Sequence, residues 1–285
     1  MANANADATH QREADFHDAW ANSTRLQDVL VRECFEAPTA LENQFILERM
    51  GSLKGKKLLD IGAGLGESSV YFALQGAKVT TVDISPMMVE TALELGRMHG
   101  VELEGIVSGA EDLNLPAAAY DVIYIANTIH HVQDRPLLFE QMSRALKPGG
   151  VFFSYDPIAY NPVINIYRRM AMGVRTIDEA PLTIADVKLA RQYFSNVQHR
   201  EFWLSTLLLF VKYFLFDRVH PNQYRYWKRI LRETQSSLWW WMPLRALDKV
   251  LTRIPAVRWL SWNVVMWGEK PADPAGVSAG TTHAK

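Results

Sequence analysis

The run Asp60-Ile61-Gly62-Ala63-Gly64-Leu65-Gly66 is the first place along the chain where residue types and spacing suggest chemistry. Its glycines permit a tight turn and let the backbone approach a ligand that a Cβ would block. A helix opening near Glu67 would offer free N–H groups and a partial positive charge to a carboxylate or phosphate. Asp83 ends the next apolar run, where a carboxylate can accept from both hydroxyls of a ribose. A lone glycine-rich loop is weak evidence. In the order strand, loop, helix, strand, acid it points to an adenosine-type ligand, either a dinucleotide or S-adenosylmethionine.

His130 and His131 follow a later apolar run, Tyr120–Ala126. An imidazole titrates at about pH 6.5 and can act as a base; the alternative is a purely structural histidine. At the Asp156-Pro157 corner Asp156 is either a second carboxylate facing a bound acceptor or the cap of the following turn. Beyond it come Arg168, Arg169 and Arg175. A guanidinium suits bidentate capture of a carboxylate or phosphate, and it suits surface pairing with Asp178 and Glu179 equally well.

These residues need a frame. Lys57–Ile61, Lys78–Asp83, Tyr120–Ala126 and Val151–Asp156 are short, apolar and bounded by Gly, Asp or Pro, as strands buried on both faces of a parallel sheet are. Helical patterns lie between them: Glu67–Gln75, a stretch opened by Ser85-Pro86 and running through Leu95, and one opened by Asp134 and ended by Lys147-Pro148-Gly149-Gly150. Such alternation implies right-handed crossovers and an α/β, Rossmann-like, doubly wound sheet. Asn196–Leu204 and Asn263–Trp267 would complete the sheet, which is expected to be seven-stranded with one further strand not located, and a large aromatic-rich helical insertion lies between them. The chain thus divides into an N-terminal helical segment (1–53), a ligand-binding core (54–157), a cap region holding the basic aromatic insertion and last strands (158–270), and a disordered tail (271–285). Met1–Ala8 also reads as loose.

Hydrophobic residues make up 48% of the 285 residues and charged ones 21%, enough for a sizeable core. A net charge of −1 gives no sign of a nucleic-acid partner. The single cysteine, Cys34, cannot form an internal disulfide, and no Cys cluster offers metal-ligand spacing, so no metal is expected. No uncharged apolar run reaches the roughly 18 residues of a membrane span, and the N-terminus lacks the basic and apolar regions of a signal peptide. A cytoplasmic protein is expected.

Five stretches in order, Leu58–Gly66, Val82–Met88, Ala110–Leu113, Tyr120–Ile123 and Leu146–Gly150, resemble the successive motifs of the class I S-adenosylmethionine-dependent methyltransferases. The nearest subgroup is the type 11 group, with its quinone- and small-molecule-methylating enzymes. The resemblance covers roughly Lys54–Asp156 and implies S-adenosyl-L-methionine as the cofactor. It implies that Asp60 and the backbone of Gly62 and Gly64 hold the methionine end, that Asp83 takes the ribose hydroxyls, and that Ile84 and Met88 pack on adenine. Asn127 would sit near the sulfonium and the acceptor. Where relatives carry Gly-Asp-Ala, this chain has Ser108-Gly109-Ala110, so Ala110 backbone or Glu111 must replace the usual adenine-binding Asp. His130, His131 and Asp156 are then the candidate catalytic groups, although relatives also carry a His here with no role as base.

The resemblance does not name the acceptor. From Phe210 to Leu260 ten Lys or Arg face only three acids, interleaved with aromatic residues that include Trp239-Trp240-Trp241. Rings and cations together are what a membrane interface selects. This favours methyl transfer to an apolar or lipid-like small molecule, with peripheral contact through 203–262 at the inner face of a membrane. A soluble metabolite beneath an aromatic lid, a dimer interface, and a non-catalytic S-adenosylmethionine-binding protein are the competing readings.

Overall fold

The computed structural model describes residues 2–174, 176, 179–222 and 224–272. Three helices come first: α1 (Ala2–Ser23), α2 (Glu33–Glu36) and α3 (Leu41–Met50). The core then alternates: β1 (Lys57–Ile61), α4 (Glu67–Leu74), β2 (Lys78–Asp83), α5 (Pro86–Met98), β3 (Leu103–Val107), β4 (Tyr120–Ala126), α6 (Arg135–Ala145) and β5 (Leu146–Pro157). After it run α7 (Pro162–Met170), α8 (Ile184–Ala190), β6 (Ser195–Phe202), α9 (Leu208–Leu215), α10 (Tyr226–Arg232), α11 (Thr234–Leu251), α12 (Pro255–Arg258) and β7 (Asn263–Glu269).

The strands form one seven-stranded sheet in the order β3-β2-β1-β4-β5-β7-β6. The first five are mutually parallel, and β7 runs antiparallel to both β5 and β6. The order reverses direction at β1 and β4, so loops after these strands open a crevice at their carboxyl ends. One core packs Leu59, Ile123, Ile125, Phe139 and Phe152 on one face of the sheet. A second, with Phe35, Phe45, Leu58, Phe72 and Tyr124, carries α3 and α4 on the other.

Local chemistry sets the helix starts that matter here. Ser85 Oγ accepts from Met88 N at 2.9 Å with Pro86 in the first turn, and Asp134 accepts from Leu137 N at 3.0 Å. Both are N-caps that tie up one orphan donor of the first turn.

The structure departs from the sequence reading in four places. Met1–Ala8 was expected to be loose, yet α1 is helical from Ala2. Strand β3 was not among the expected segments, because Leu103-Glu104-Gly105-Ile106-Val107 is a half-exposed edge strand without a buried apolar signature. Strand β5 begins at Leu146, so Lys147–Gly150 lies inside its span, where the register against β4 shifts. The tryptophan run does not act as a unit: Trp241 is fully buried with Trp203, Phe210, Tyr213 and Tyr226, whereas Trp239 is 81% exposed. Residues 273–285, most of the expected tail, lie outside the described residues.

A buried carboxylate fastens the insertion. Asp248 of α11 accepts from the backbone of Leu204, Ser205 and Thr206 and from the hydroxyls of Ser205 and Thr206, at 2.5–3.3 Å. This network holds α11 against the turn that leaves β6.

Candidate functional site

The loop after β1 folds as its glycines dictate. Gly62 has φ +68, and a Cβ there would lie 2.0 Å from Thr128 Oγ1, so the loop after β4 can approach only because this side chain is absent. Gly64 has φ +56 with open space at its Cβ position, and its N–H donates to Asp83 Oδ2 at 2.9 Å. Asp83 Oδ1 accepts from Ser85 N at 3.0 Å. Burial raises the Asp83 carboxyl above its ordinary range, with the His17 charge and the two N–H bonds opposing. Asp60, 1% exposed, accepts from Ser68 and Ser69 hydroxyls at 2.6 and 2.7 Å. Burial outweighs those bonds and pushes Asp60 up to about 6.

Around this loop lies a cavity of about 220 Å³ whose wall includes Asp60, Gly62, Gly64, Asp83, Ile84, Ala110, Glu111 and Asn127. Of the expected cofactor residues, Met88 is missing from that wall. It is fully buried behind it, packed with Ala21 and Leu65. Glu111 is present but engaged: His10 Nε2 lies 2.7 Å from one oxygen, and the backbone N–H of Asp134 donates to the other. Asn127 adopts φ +51, a left-handed conformation that Asn tolerates, and its N–H donates to Tyr155 O at 2.8 Å.

A second cavity of about 260 Å³ abuts the first. His17, Trp20, Asn127, His131, Tyr155 and Trp227 line both. Its remaining wall sets the aromatic rings of Phe16, Tyr167, Trp203 and Trp262 beside Ile164, Ile230 and Leu231, and carries Arg168, Arg225, Glu42 and Glu179. Cys34 stands in the shared wall, where burial pushes its thiol upward and away from reactivity.

Of the three candidate catalytic residues, His131 lines both cavities, His130 lines the second, and Asp156 lies behind His130. His130 Nδ1 and Asp156 Oδ1 are 2.7 Å apart, and the His130 N–H donates to the same oxygen at 3.2 Å. Asp156 is completely buried; that burial, only partly offset by the His130 N–H and the charges of His131 and Arg135, pushes its carboxyl up to about 8. His130 Nε2 lies 3.8 Å from Glu179 Oε2. His131 Nδ1 is 3.3 Å from Glu13 Oε1 and from Thr176 Oγ1. Burial alone would raise Glu13, but hydrogen bonds from His131 and His17 hold it well below the usual carboxylate range. His130, His131 and Glu179 also place one donor atom each within 4.8 Å of one another, the one such group with metal-binding reach among the described residues. Sequence reasoning passed over Glu13 and Glu42 and gave Glu179 only a surface pairing, since carboxylates on helices or loops carry no signal until the fold assembles them. Arg175 and Asp178 lie outside the described residues.

Helix α1 closes over the first cavity. Asp18 accepts from the Ser85 hydroxyl and, at 3.3 Å, from Met87 N, while His10 and Glu13 reach Glu111 and His131. The site therefore draws residues from the first helix as well as from the sheet edge.

The fold has counterparts among known proteins. Residues 59–154 match the family described as a methyltransferase domain. The chain is 38% identical over 107 residues to phosphoethanolamine N-methyltransferase 1 of Arabidopsis thaliana, covering 36% of this chain and 21% of that protein. It is 39% identical over 116 residues to the ubiquinone biosynthesis O-methyltransferase of Cronobacter sakazakii, covering 39% and 46%. It thus spans less than half the length of these curated relatives. Among solved structures, Haemonchus contortus phosphoethanolamine N-methyltransferase 2 in complex with S-adenosyl-L-methionine superposes with a TM-score of 0.53 at 21% identity, over 82% of this chain and 53% of that one. The [4+2]-cyclase SpnF superposes at 0.50 with 16% identity, over 77% and 76%, so at this distance the likeness speaks for fold and not for reaction. Over residues 59–154 this chain is thus similar to a methyltransferase domain.

Proposed function

We propose that the chain transfers the methyl group of S-adenosylmethionine to an apolar or lipid-like small molecule. The observation that carries this reading is the shared wall: a glycine-loop chamber and an aromatic chamber meet at Asn127, His131 and Tyr155. The first chamber suits the cofactor chemically. Asp60 and Asp83 are carboxylates whose burial favours a partner bearing positive charge and hydroxyl donors, and S-adenosylmethionine offers both. In this reading Asp60 and the backbone of Gly62 and Gly64 hold the methionine end, and Asp83 takes the ribose hydroxyls on lone pairs its N–H partners leave. Ile84 lies along the adenine, with Ala110 and Glu111 at its edge. Asn127 stands beside the sulfonium.

Bound there, the cofactor supplies a methyl group already activated on sulfur. The protein must align an acceptor and take its proton. With Asp156 ionised, His130 donates Nδ1–H to it and keeps the Nε2 lone pair, so Nε2 removes the proton. His131, braced by Glu13, closes the junction between the chambers. Phe16, Trp203 and Trp262 favour an apolar acceptor, and Arg168 and Arg225 suit an anionic group on it.

Peripheral membrane contact is the finer part of the proposal. On α11, Trp239, Met242, Ala246 and Val250 follow at spacings of three and four, and all are exposed. Lys249 and Arg253 are exposed beside them, and Phe216 just beyond α9 is 78% exposed. Other cations of the insertion are spent internally: Lys212 and Arg229 pair with Asp217, and Arg225 stacks on Trp20. The supporting feature is thus an apolar stripe with a few basic neighbours, which suits an in-plane helix on an anionic surface. No helix among the described residues is long and apolar enough to cross a membrane.

The test is transfer of a radiolabelled methyl group from S-adenosylmethionine to cell extracts. Label in the organic phase that is lost in His130→Ala supports the proposal. Label in water-soluble product points to a soluble metabolite under the aromatic lid. S-adenosylmethionine binding with no transfer to either phase would leave a non-catalytic binder.

A further inference from the structure

Glu42 and Asn263 stand together in the wall of the aromatic chamber, one on α3 and the other opening β7. They are 7% and 5% exposed. Glu42 accepts from Trp203 Nε1 at 3.2 Å and from Asn263 Nδ2 at 2.5 Å. The second bond turns the Asn263 amide so that its Oδ1 is buried without a hydrogen-bond partner. No cation among the described residues pairs with Glu42 or influences its titration, which burial drives upward. Arg225, in the same wall, stacks on Trp20 at 3.9 Å instead.

A fold thus keeps a carboxylate without a counter-charge beside an amide oxygen without a donor. Each alone is unfavourable when buried. Both are relieved by one occupant that brings positive charge and several N–H donors. The neighbouring walls suit the same occupant. Trp203 and Trp262, 6.1 Å apart between ring centres, present indoles, whose faces attract cations. Glu42 and Asn263 do not line the cofactor chamber, so the charge of S-adenosylmethionine is not what they serve.

We propose that Glu42 and Asn263 Oδ1 form the recognition subsite for a protonated amine, which makes the methyl acceptor an amine-bearing amphiphile. This rests on the reading of the aromatic chamber as the acceptor chamber. An ammonium has three donors: one reaches Glu42, one reaches Asn263 Oδ1, and its charge lies against the indoles.

Two probes of one size and shape test the subsite: n-hexylammonium and 1-hexanol, titrated into the intact protein at pH 7 and 0.15 M salt and followed by tryptophan fluorescence and calorimetry. The amine should bind at least tenfold more tightly than the alcohol. Glu42→Gln, and separately Asn263→Leu, should reduce that preference below threefold while S-adenosylmethionine affinity stays within twofold. Equal binding of the two probes by the natural chain overturns the proposal, and needs no variant to fold. So does an amine preference that survives Glu42→Gln. Titration of S-adenosylmethionine into the same protein separates the two claims. Its failure to bind removes the acceptor-chamber reading, whereas its binding without an amine preference removes the subsite alone.

Discussion

If His130 takes the acceptor's proton, the rate of methyl transfer must follow the ionisation of the buried His130–Asp156 pair. While the pair holds its extra proton, the neutral carboxyl donates to Nδ1 and Nε2 carries a hydrogen, or the imidazole is doubly protonated. In neither form can Nε2 accept. Loss of that proton leaves Asp156 ionised and Nε2 unprotonated. Burial places the Asp156 titration at about 8, so only roughly a tenth of the molecules are competent at pH 7, and the rate should climb about tenfold between pH 7 and pH 9. His130→Ala should lower turnover by roughly 10²–10⁴-fold, the usual worth of a positioned base, with cofactor affinity nearly unchanged. Asp156→Asn is the more discriminating change. The His130 N–H already donates to Oδ1, so the amide oxygen should keep that place and still hold Nδ1–H. Without the carboxylate charge the rising limb should move to lower pH, towards the ordinary imidazole range of about 6.5. The assay is single-turnover transfer of labelled methyl across pH 6–9 with cofactor saturating. A flat profile in the natural protein, or an unmoved limb in both variants, would refute the reasoning.

Stability should show the same group with a defined sign. Asp156 has a folded-state pKa raised above its unfolded value, so its protonated form contributes stability that is complete below about pH 4 and lost as pH rises through about 8; Asp156→Asn should flatten that alkaline decline in thermal unfolding. Trp241→Ala should cost about 3–5 kcal/mol in denaturant unfolding, since its ring is fully buried. Trp239→Ser should leave stability within about 0.5 kcal/mol, as exposed positions usually do, and should weaken co-sedimentation with anionic liposomes; a protein that ignores such liposomes at low salt lacks the membrane contact. Methyl transfer should persist in excess EDTA, because a base mechanism needs no ion on His130, His131 and Glu179; abolition by chelator, restored by a divalent metal, would transfer the activating role to that cluster.

What the sequence disclosed, and what it withheld, follows from the range of the interactions. The loop Asp60–Gly66 and Asp83 were legible because one crossover brings them together and local chemistry fixes each part: positive φ at Gly62 and Gly64, an N-cap at Ser85. The parallel strands β1, β2, β4 and β5 were legible because burial on both faces leaves an unbroken apolar run. Strand β3 has only one strand neighbour and exposes most of its residues, so no such run marks it. The second half of the site depends on long-range closure. Glu13 meets His131, Glu42 meets Asn263 and His10 meets Glu111 across 101 to 221 positions of chain, a proximity that no local pattern encodes. Met88 shows the converse limit. Its motif position suggested an adenine contact, but α1 lies over α5 and takes Met88 into its own packing with Ala21 and Leu65. The tryptophan run misled in a similar way, because consecutive helical residues point in different directions: Trp241 turned inward and Trp239 outward.

The central claim is that the chamber beside Asp83 binds S-adenosylmethionine, and a calorimetric titration of the intact chain tests it most directly. The natural protein should bind S-adenosylmethionine in preference to NADH. Asp83→Ala, folded by circular dichroism, should bind it more weakly by about 1.5–3 kcal/mol, roughly ten- to a hundredfold or somewhat more, as loss of a charge-assisted hydrogen bond requires. Tighter binding of NADH than of S-adenosylmethionine, or an Asp83→Ala variant with undiminished affinity, would contradict the account.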